Sequence, residues 1–429
     1  MKKETTNSQQ MQAIFTPQEL HFAVNQLSLK LILSAVEAQV DELCGAFYNP
    51  KSNSKYYRAG SVLSQVFDGN NWHKAKCPRV RERLKNGKSK EVHLTQLTAI
   101  KDTSIWEEQL MRNILCGVSY GNMNKLNPKD KKISKASLSK LWEEKASVLV
   151  ENLQNESLEK YDLVALMIDG VWLSKELSAV VALGFDKDGH KKILGFRIGT
   201  SENETVCIDL LNSLRDRGLK SPTKRDLLVV LDGSKALDKA TKTIFGTSVI
   251  IQRCLIHKER NVLHYTPKKL QAKVMSKFKY LREACDEKEA KKVIKELKSL
   301  LKKHQNAINS IEESETELTA IHKLSLNETL QMTFRSTNSI ENAFRNVRRH
   351  IGRVTNWKER TCGLWIGSGL ILSQETFKRI KSYEKIPALI ESLEATSPRR
   401  SKEDKNPFEE AQNFNKSIDN NKKIEKLTA

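Results

Sequence analysis

Three acidic residues stand where their chemistry could be shared. Asp169 follows the apolar run Leu163-Val-Ala-Leu-Met-Ile168 and precedes Gly170, and Asp232 follows Leu227-Leu-Val-Val-Leu231 and precedes Gly233. The third, Glu341, sits near the start of an amphipathic helical stretch. Apolar, β-branched runs of this length, closed by a turn signal, fit central strands of a sheet covered on both faces. Two adjacent parallel strands that both end in Asp would set two carboxylates side by side at the carboxyl edge, where open α/β sheets bind ligands. Like charges at that distance raise each other's pKa, which favours a divalent cation between them. Hard cations such as Mg²⁺ or Mn²⁺ take oxygen ligands, and two of them ~3.5–4 Å apart serve phosphoryl transfer. Each acidic residue also has a plainer reading. Asp-Gly is a common turn, and Asn338-x-x-Glu341 fits a capping box.

A second cluster is Gln252-Arg253-Cys254-Leu255-Ile256-His257. Cys254 and His257, at i and i+3, would face the same side of a helical turn and could bind zinc. No second Cys/His pair stands at a familiar spacing, so the expectation is a His257 within reach of a phosphate or a hydrolytic water.

The elements that must position these groups run from Asp162 to Cys254. Strands are expected at 163–168, Leu177 to Phe185 and Lys191 to Ile198, the last two joined by the hairpin turn Asp186-Lys-Asp-Gly189. A helix from Glu204 to Arg217, a strand at 227–231, a helix from Ala236 to Phe245 and a strand from Ser248 to Gln252 follow. The order β-β-β-α-β-α-β, antiparallel first and parallel later, predicts an α/β fold with a ribonuclease-H-like core. Helical sequence at 258–330 then interrupts it. Between Lys268 and Lys303 this insertion holds 13 Lys/Arg and 5 Asp/Glu, which suits either a solvated face or a DNA-facing one. From Phe334 to Ile351 a helix is expected, with Ile340, Ala343, Phe344, Val347 and Ile351 as its apolar stripe and Arg345, Arg348 and Arg349 outside it. Gly363 to Leu372 reads as a further helix, and the polar stretch beyond Thr396 as a disordered tail.

Upstream, residues 1–13 read as loose, and two helices are expected at 17–28 and 29–47, the first opened by Thr16-Pro17-Gln18-Glu19. Asn86-Gly87 signals a hairpin. Its first arm carries Lys74, Lys76, Arg79, Arg81, Arg83 and Lys85, a row suited to a phosphate backbone or to plain solvation. Ile105 to Ser119 and Ile133 to Trp142 form a candidate helix-turn-helix, with Lys135 and Lys140 on a second helix whose small polar residues permit close approach to DNA. The expected divisions are N-terminal helices at 1–50, a mostly helical DNA-binding region at 51–155, a catalytic domain at 156–395 and a tail at 396–429.

Composition narrows the partner. Of 429 residues, 73 are Lys or Arg against 52 Asp or Glu, giving +21 and a pI near 9.5. Such an excess calls for a polyanion, nucleic acid first and an anionic membrane second. No apolar run approaches the ~20 residues of a membrane span, and no apolar signal core follows the N-terminus. Seven cysteines without a C-x-x-C pair suggest reduced thiols, so a soluble cytoplasmic protein is expected.

Asp169-Gly170, Leu231-Asp232-Gly233, Gln252-Arg-Cys-x-x-His257-Lys-x-Arg-Asn261 and Arg335-Ser-Thr-Asn-x-x-Glu341-Asn342-x-Phe344-Arg-x-x-Arg348-Arg349 together resemble the Mutator-type transposases of bacterial insertion sequences. The resemblance covers roughly residues 30–395. It extends to Cys77-Pro78-Arg79-Val80-Arg81, where Cys replaces the usual apolar residue. It implies that Asp169, Asp232 and Glu341 are the DDE metal-binding triad and that Cys254 and His257 are the Cys-x-x-His signature. It also implies that 258–330 is the all-helical insertion and that Trp365 matches a family Trp near the transposon end. The function implied is binding of terminal inverted repeats through roughly residues 55–150, cleavage with two Mg²⁺ (or Mn²⁺) and joining of the freed 3′-OH to target DNA. The partner is double-stranded DNA and no membrane, with a homodimer or higher assembly on it. Two rivals stand beside this: a non-enzymatic DNA-binding protein, and another ribonuclease-H-like nuclease such as a junction resolvase. The intact acidic triad argues against the first, the long insertion and the Arg-Ser-Thr-Asn-x-x-Glu segment against the second.

Overall fold

The computed structural model describes residues 17–67, 72–99, 101–126, 133–173, 177–199, 204–219, 225–246, 249–324, 326–352, 354 and 359–396. The expected loose start and disordered tail lie outside them. The chain divides into two compact units, Met1–Ile114 with Val118–Trp142, and Leu115–Gly117 with Glu143–Ala429. Among the described residues no helix is long and apolar enough to cross a membrane.

The first unit opens with α1 (Pro17–Cys44), one helix where two were expected. No Gly or further Pro interrupts 18–44, so nothing breaks it. A small hairpin follows, β1 (Gly45–Ala46) with β2 (Asn49–Pro50). Then β3 (Tyr56–Phe67), β4 (Trp72–Arg83) and β5 (Ser89–Glu91) form an antiparallel sheet in that order. The β4–β5 hairpin turns at Asn86-Gly87 as expected, but β3 was not foreseen. Its pattern is broken by Gly60, in a left-handed conformation (φ 80°), and by a bulge facing Val80 and Pro78. The basic row of β4 stays on the outer side: Ala75, Cys77 and Val80 are buried against α1, while Lys74, Lys76 and Arg83 are exposed and Arg79 and Arg81 half-buried. Helices α2 (Thr95–Ala99), α3 (Ser104–Leu115), α4 (Tyr120–Leu126) and α5 (Lys135–Asn155) complete the series. Between the expected turn at 117–119 and the second expected helix lies α4, so α3 and α5 are not consecutive helices.

In the second unit a five-stranded sheet comprises β6 (Leu163–Trp172), β7 (Ser178–Asp186), β8 (Lys191–Gly199), β9 (Leu227–Leu231) and β10 (Val249–Arg253). The strand order is β10-β9-β6-β7-β8. The first three strands form an antiparallel meander, and β9 and β10 run parallel to β6. Between the strands lie α6 (Glu204–Asp216) and α7 (Lys235–Phe245). Leu210, Leu214, Leu237 and Ile244 of these helices cover one face of the sheet. With both faces covered, the strands must be apolar throughout, which is why they read as unbroken apolar runs.

After β10 come α8 (Leu255–His264), α9 (Lys268–Glu283), α10 (Glu287–Leu300), α11 (Gln305–Glu312), α12 (Glu315–Leu318), α13 (Ala320–Lys323) and α14 (Glu328–Phe334). Helices α8 to α12 share a core of their own around Val262, Phe278, Ile294, Leu297 and Ile311, while Ile321 of α13 and Leu330 and Phe334 of α14 join the core on the sheet. The chain then returns through α15 (Asn338–Ile351), α16 (Glu359–Glu375) and α17 (Ile386–Thr396). Phe344, Val347, Ile366, Leu370 and Leu389 cover the other face of the sheet. A single helix from Phe334 to Ile351 was expected. Instead Arg335, Ser336 and Thr337 separate two helices, with Ser336 and Thr337 buried.

Candidate active site

The register of the central strands sets the first two carboxylates. Ile168 of β6 pairs with Leu231 of β9, so Asp169 and Asp232 come next in line at the same end of a parallel pair. Asp169 is not in a turn, because β6 continues past it to Trp172 along β7. Its side chain is buried at 3% exposure, and its Oδ1 accepts the Gly170 amide at 2.8 Å. Burial first, then the charge of Asp232, push its pKa up to about 7, against the pull of His257 and a hydrogen bond from Thr337. Asp232 is likewise raised, chiefly by burial, although its Oδ1 accepts the Ser234 amide at 2.8 Å.

At this same edge α8 begins. The amide of Cys254 donates to the Leu231 carbonyl at 2.7 Å, extending the β9–β10 ladder by one bond. Cys254 is the residue preceding the helix, and His257 stands one turn along it. Thr337 joins the parts together. Its amide lies 3.5 Å from Cys254 Sγ, and its Oγ1 lies 3.7 Å from that sulfur and 3.4 Å from His257 Nδ1. The hydrogen bond and charge of His257, with the Thr337 amide, outweigh burial and hold the Cys254 thiol below its ordinary value. In turn the hydrogen bond to Cys254, aided by Asp169 and Asp232, pushes His257 up to about 9 despite its burial.

Glu341 lies in the first turn of α15. Thr337, not Asn338, is the residue preceding that helix, and it makes no side-chain cap bond, so the capping-box reading of Asn338-x-x-Glu341 does not hold. Glu341 Oε1 faces His257 Nε2 at 3.5 Å and Arg260 Nη1 at 3.9 Å. Ligand atoms of Asp169, His257 and Glu341 all lie within 4.8 Å of one another. Asp232 is not part of that set; it flanks Asp169, and its charge acts on both Asp169 and His257.

The donor set suits a hard divalent cation: carboxylate oxygens from three elements, with Asp169 pushed up to about 7 by burial and by the charge of Asp232. Zinc held by Cys254 and His257 fits poorly, because among the described residues no candidate metal cluster contains a cysteine. The elevated Asp169 pKa has a measurable consequence. A carboxyl raised above its unfolded value of 3.8 stabilises the fold below pH ~4 and loses that contribution as pH rises through about 7. In chelator this contribution should be lost over pH 4–7, on the order of 3–4 kcal/mol, and is read as the difference in melting temperature between wild type and Asp169→Asn. Mg²⁺ should reverse it. A difference that does not change over this window in chelator contradicts the assignment.

The residues around this edge explain the Gln-Arg-Cys-x-x-His segment. Arg253, 5% exposed, pairs with Glu317 Oε2 through Nη2 at 2.7 Å and Nε at 3.0 Å, and its Nη1 donates to the Asp232 carbonyl at 3.2 Å. It thereby ties the helical insertion to the backbone that carries Asp232. Gln252 accepts the Ile321 amide at 2.7 Å, and Lys258 donates to the Ser310 carbonyl at 2.6 Å. Sequence reasoning assigned no role to Thr337, Arg253 or Glu317. The first two lie inside quoted motifs, whereas nothing distinguishes Glu317 from the many acidic residues of the insertion.

The other candidates are not among the residues gathered at this edge. Arg345, Arg348 and Arg349 project from the exposed face of the helix that carries Glu341. Trp365 is half-buried on α16, packed against the core beneath the sheet. Arg79, Arg81, Lys135 and Lys140 belong to the first unit. There Glu91 Oε1 and Oε2 accept Arg79 Nε and Nη2, both at 2.8 Å, and Oε2 accepts Arg81 Nε at 3.2 Å. Arg79 foremost holds the Glu91 carboxyl down to about 2. Lys135 and Lys140 lie on the exposed surface of α5.

Known proteins are similar to this chain over much of its length. It is 32% identical over 176 residues to the transposase for insertion sequence element IS256 in transposon Tn4001 of Staphylococcus aureus, covering 38% of this chain and 44% of that protein. It is 28% identical over 220 residues to the transposase for IS6120 of Mycolicibacterium smegmatis, covering 50% of this chain and 66% of that protein. With the transposase for ISRM5 of Rhizobium meliloti the identity is 24% over 268 residues, covering 60% and 64%. Each alignment thus spans less than two thirds of the relative's own length. The profile of the family described as "Transposase, Mutator family" matches residues 1–362, so the chain belongs to the Mutator family of transposases.

Proposed function

We propose that the protein is a DDE transposase with a ribonuclease-H-like core. It would bind the terminal inverted repeats of its element in the bacterial cytoplasm, cut there, and join the freed 3′-OH to target DNA. The observation that carries this reading is the convergence of Asp169, Asp232 and Glu341, from two parallel strand ends and a helix, at one sheet edge. The sheet order, with an antiparallel meander followed by two strands parallel to its first, is the order expected of that core.

Asp169, Asp232 and Glu341 would hold two Mg²⁺ or Mn²⁺ ions, which when bound activate the attacking oxygen and stabilise the leaving one. The remaining work falls to the chain. His257, held as a cation by Cys254 and the neighbouring carboxylates, is placed to donate a hydrogen bond to a phosphate oxygen or to steady Glu341. Thr337 fixes His257 Nδ1 and the Cys254 sulfur in one arrangement. Arg345, Arg348 and Arg349 present three cations along the exposed side of α15 for the DNA backbone. Water and a 3′-OH can use the same site, so one centre serves both cutting and joining.

Residues 51–155 would supply recognition of the ends, and a homodimer or larger assembly would bring two ends together. Affinity for duplex DNA should fall linearly with log salt, with a slope of about −0.9 per phosphate neutralised. With Mg²⁺, a duplex carrying the element end should be cut to leave a 3′-OH. Binding without any strand cleavage would favour the non-enzymatic alternative.

A further inference from the structure

The turn that follows α1 has an unusual composition. β1 and β2 pair Gly45 with Pro50 and Ala46 with Asn49, leaving Phe47 and Tyr48 as a two-residue tip. Asn and Gly are the customary residues there. Instead two large aromatic side chains project into solvent, Phe47 at 70% and Tyr48 at 95% exposure. Their rings meet edge to face at 5.1 Å.

The tip is held firmly. Gly45 adopts φ 82°, and a Cβ there would stand 2.5 Å from the Lys51 nitrogen, so the hairpin folds tightly onto the end of α1. The Lys51 amide donates to the Cys44 carbonyl at 2.9 Å, its Nζ donates to the Glu42 carbonyl, and Ser54 Oγ donates to the Leu43 carbonyl at 2.9 Å. Arg58 lies over the Phe47 ring, 5.5 Å from its centre. Behind the tip is a cavity of about 900 Å³ whose walls carry Lys51, Arg58, Lys76 and Arg83 against Glu37. The guanidinium of Arg83 sits 5.1 Å from the centre of the Tyr57 ring.

We infer that Phe47 and Tyr48 form a wedge that enters the base stack of bound duplex DNA, with the surrounding cations seated on the flanking phosphates. Rigid apolar side chains on a cationic platform are what such insertion requires: the rings replace lost base stacking, while the cations hold the backbone of the kinked duplex. Arg58 is paired with Glu37 and Asp41, which leaves Lys51, Lys76 and Arg83 as the cations around the cavity outside those pairs, and this excess favours a polyanion over a second copy of this basic chain. The inference rests on the proposal that this protein binds element ends.

The test uses the full-length protein and duplexes carrying the sequences that flank the gene, with 2-aminopurine placed at each step in turn. Wild-type protein should raise the fluorescence at one step, reporting unstacking there. The double variant Phe47→Ala/Tyr48→Ala should lose that signal and bind roughly 10- to 100-fold more weakly. Its salt slope should be unchanged, because the phosphate contacts remain. Phe47→Trp should keep the signal. Both side chains are exposed, so the circular dichroism and melting temperature of the double variant should match the wild type. Wild-type binding with no fluorescence change at any step overturns the wedge and leaves the functional reading intact. A double variant that loses self-association while each protomer binds DNA as before assigns the tip to a protein contact instead. Wild-type protein that binds neither these duplexes nor any other DNA overturns both readings.

Discussion

Replacing Asp169, Asp232 or Glu341 with Ala is expected to abolish strand cleavage while leaving binding to the element ends in place. Each change removes an oxygen ligand from a centre that has no substitute for it, so the loss should be ~10³-fold or more, about 4 kcal/mol of transition-state stabilisation. Binding should survive because the site is acidic and contributes little to holding a polyanion. The fold should survive too. Asp169 and Asp232 are buried like charges that raise each other's cost, and removing either relieves the other. Melting temperatures in chelator should therefore stay level or rise. A variant that keeps wild-type cleavage would remove that residue from the site, and one that loses cleavage only by unfolding would leave its role as a ligand without support.

The second large effect should come from His257. Its Nε2 lies 3.5 Å from Glu341 Oε1, and its Nδ1 is held by Thr337 at 3.4 Å, so its position is fixed from both sides. Contacts of this kind typically cost 10–100-fold when lost, less than a ligand to the metal. Thus His257→Ala should slow cleavage by about that factor with little change in affinity for DNA. Cys254→Ser should be milder, since a hydroxyl can still accept from Thr337 but holds His257 less firmly as a cation. A structural zinc would behave differently. One equivalent of zinc would be found in the purified protein, and both substitutions would release it and lower the melting temperature together.

What the sequence revealed follows from what each element buries. The strands 163–168 and 227–231 were legible because a sheet covered on both faces forces unbroken apolar runs. The stripe Ile340, Ala343, Phe344, Val347 and Ile351 was legible because α15 buries one face only. Adjacency of Asp169 and Asp232 needed only the parallel pairing of their strands, which the order of elements implied. Other features left weaker traces. β3 hides its periodicity behind Gly60 and a bulge, and α4 is only seven residues long and carries Gly121, too short to show a helical period. Continuation of β6 past Asp169 depends on its partner β7, not on the Asp-Gly dipeptide, whose local preference is for a turn. Thr337 and Glu317 matter through contacts across 80 and 64 residues of chain, and no local pattern encodes a distance of that kind.

The central claim is that Asp169, Asp232 and Glu341 make one divalent-metal centre on which cleavage depends. A titration of Mn²⁺ into the complex with element-end DNA, followed by electron paramagnetic resonance, tests it most directly. Wild-type protein should take up two ions per active site. Glu341→Gln and Asp169→Asn should each lower that uptake and the cleavage rate together. Undiminished Mn²⁺ uptake by both variants, or full-rate cleavage by wild-type protein in excess chelator, would contradict the account.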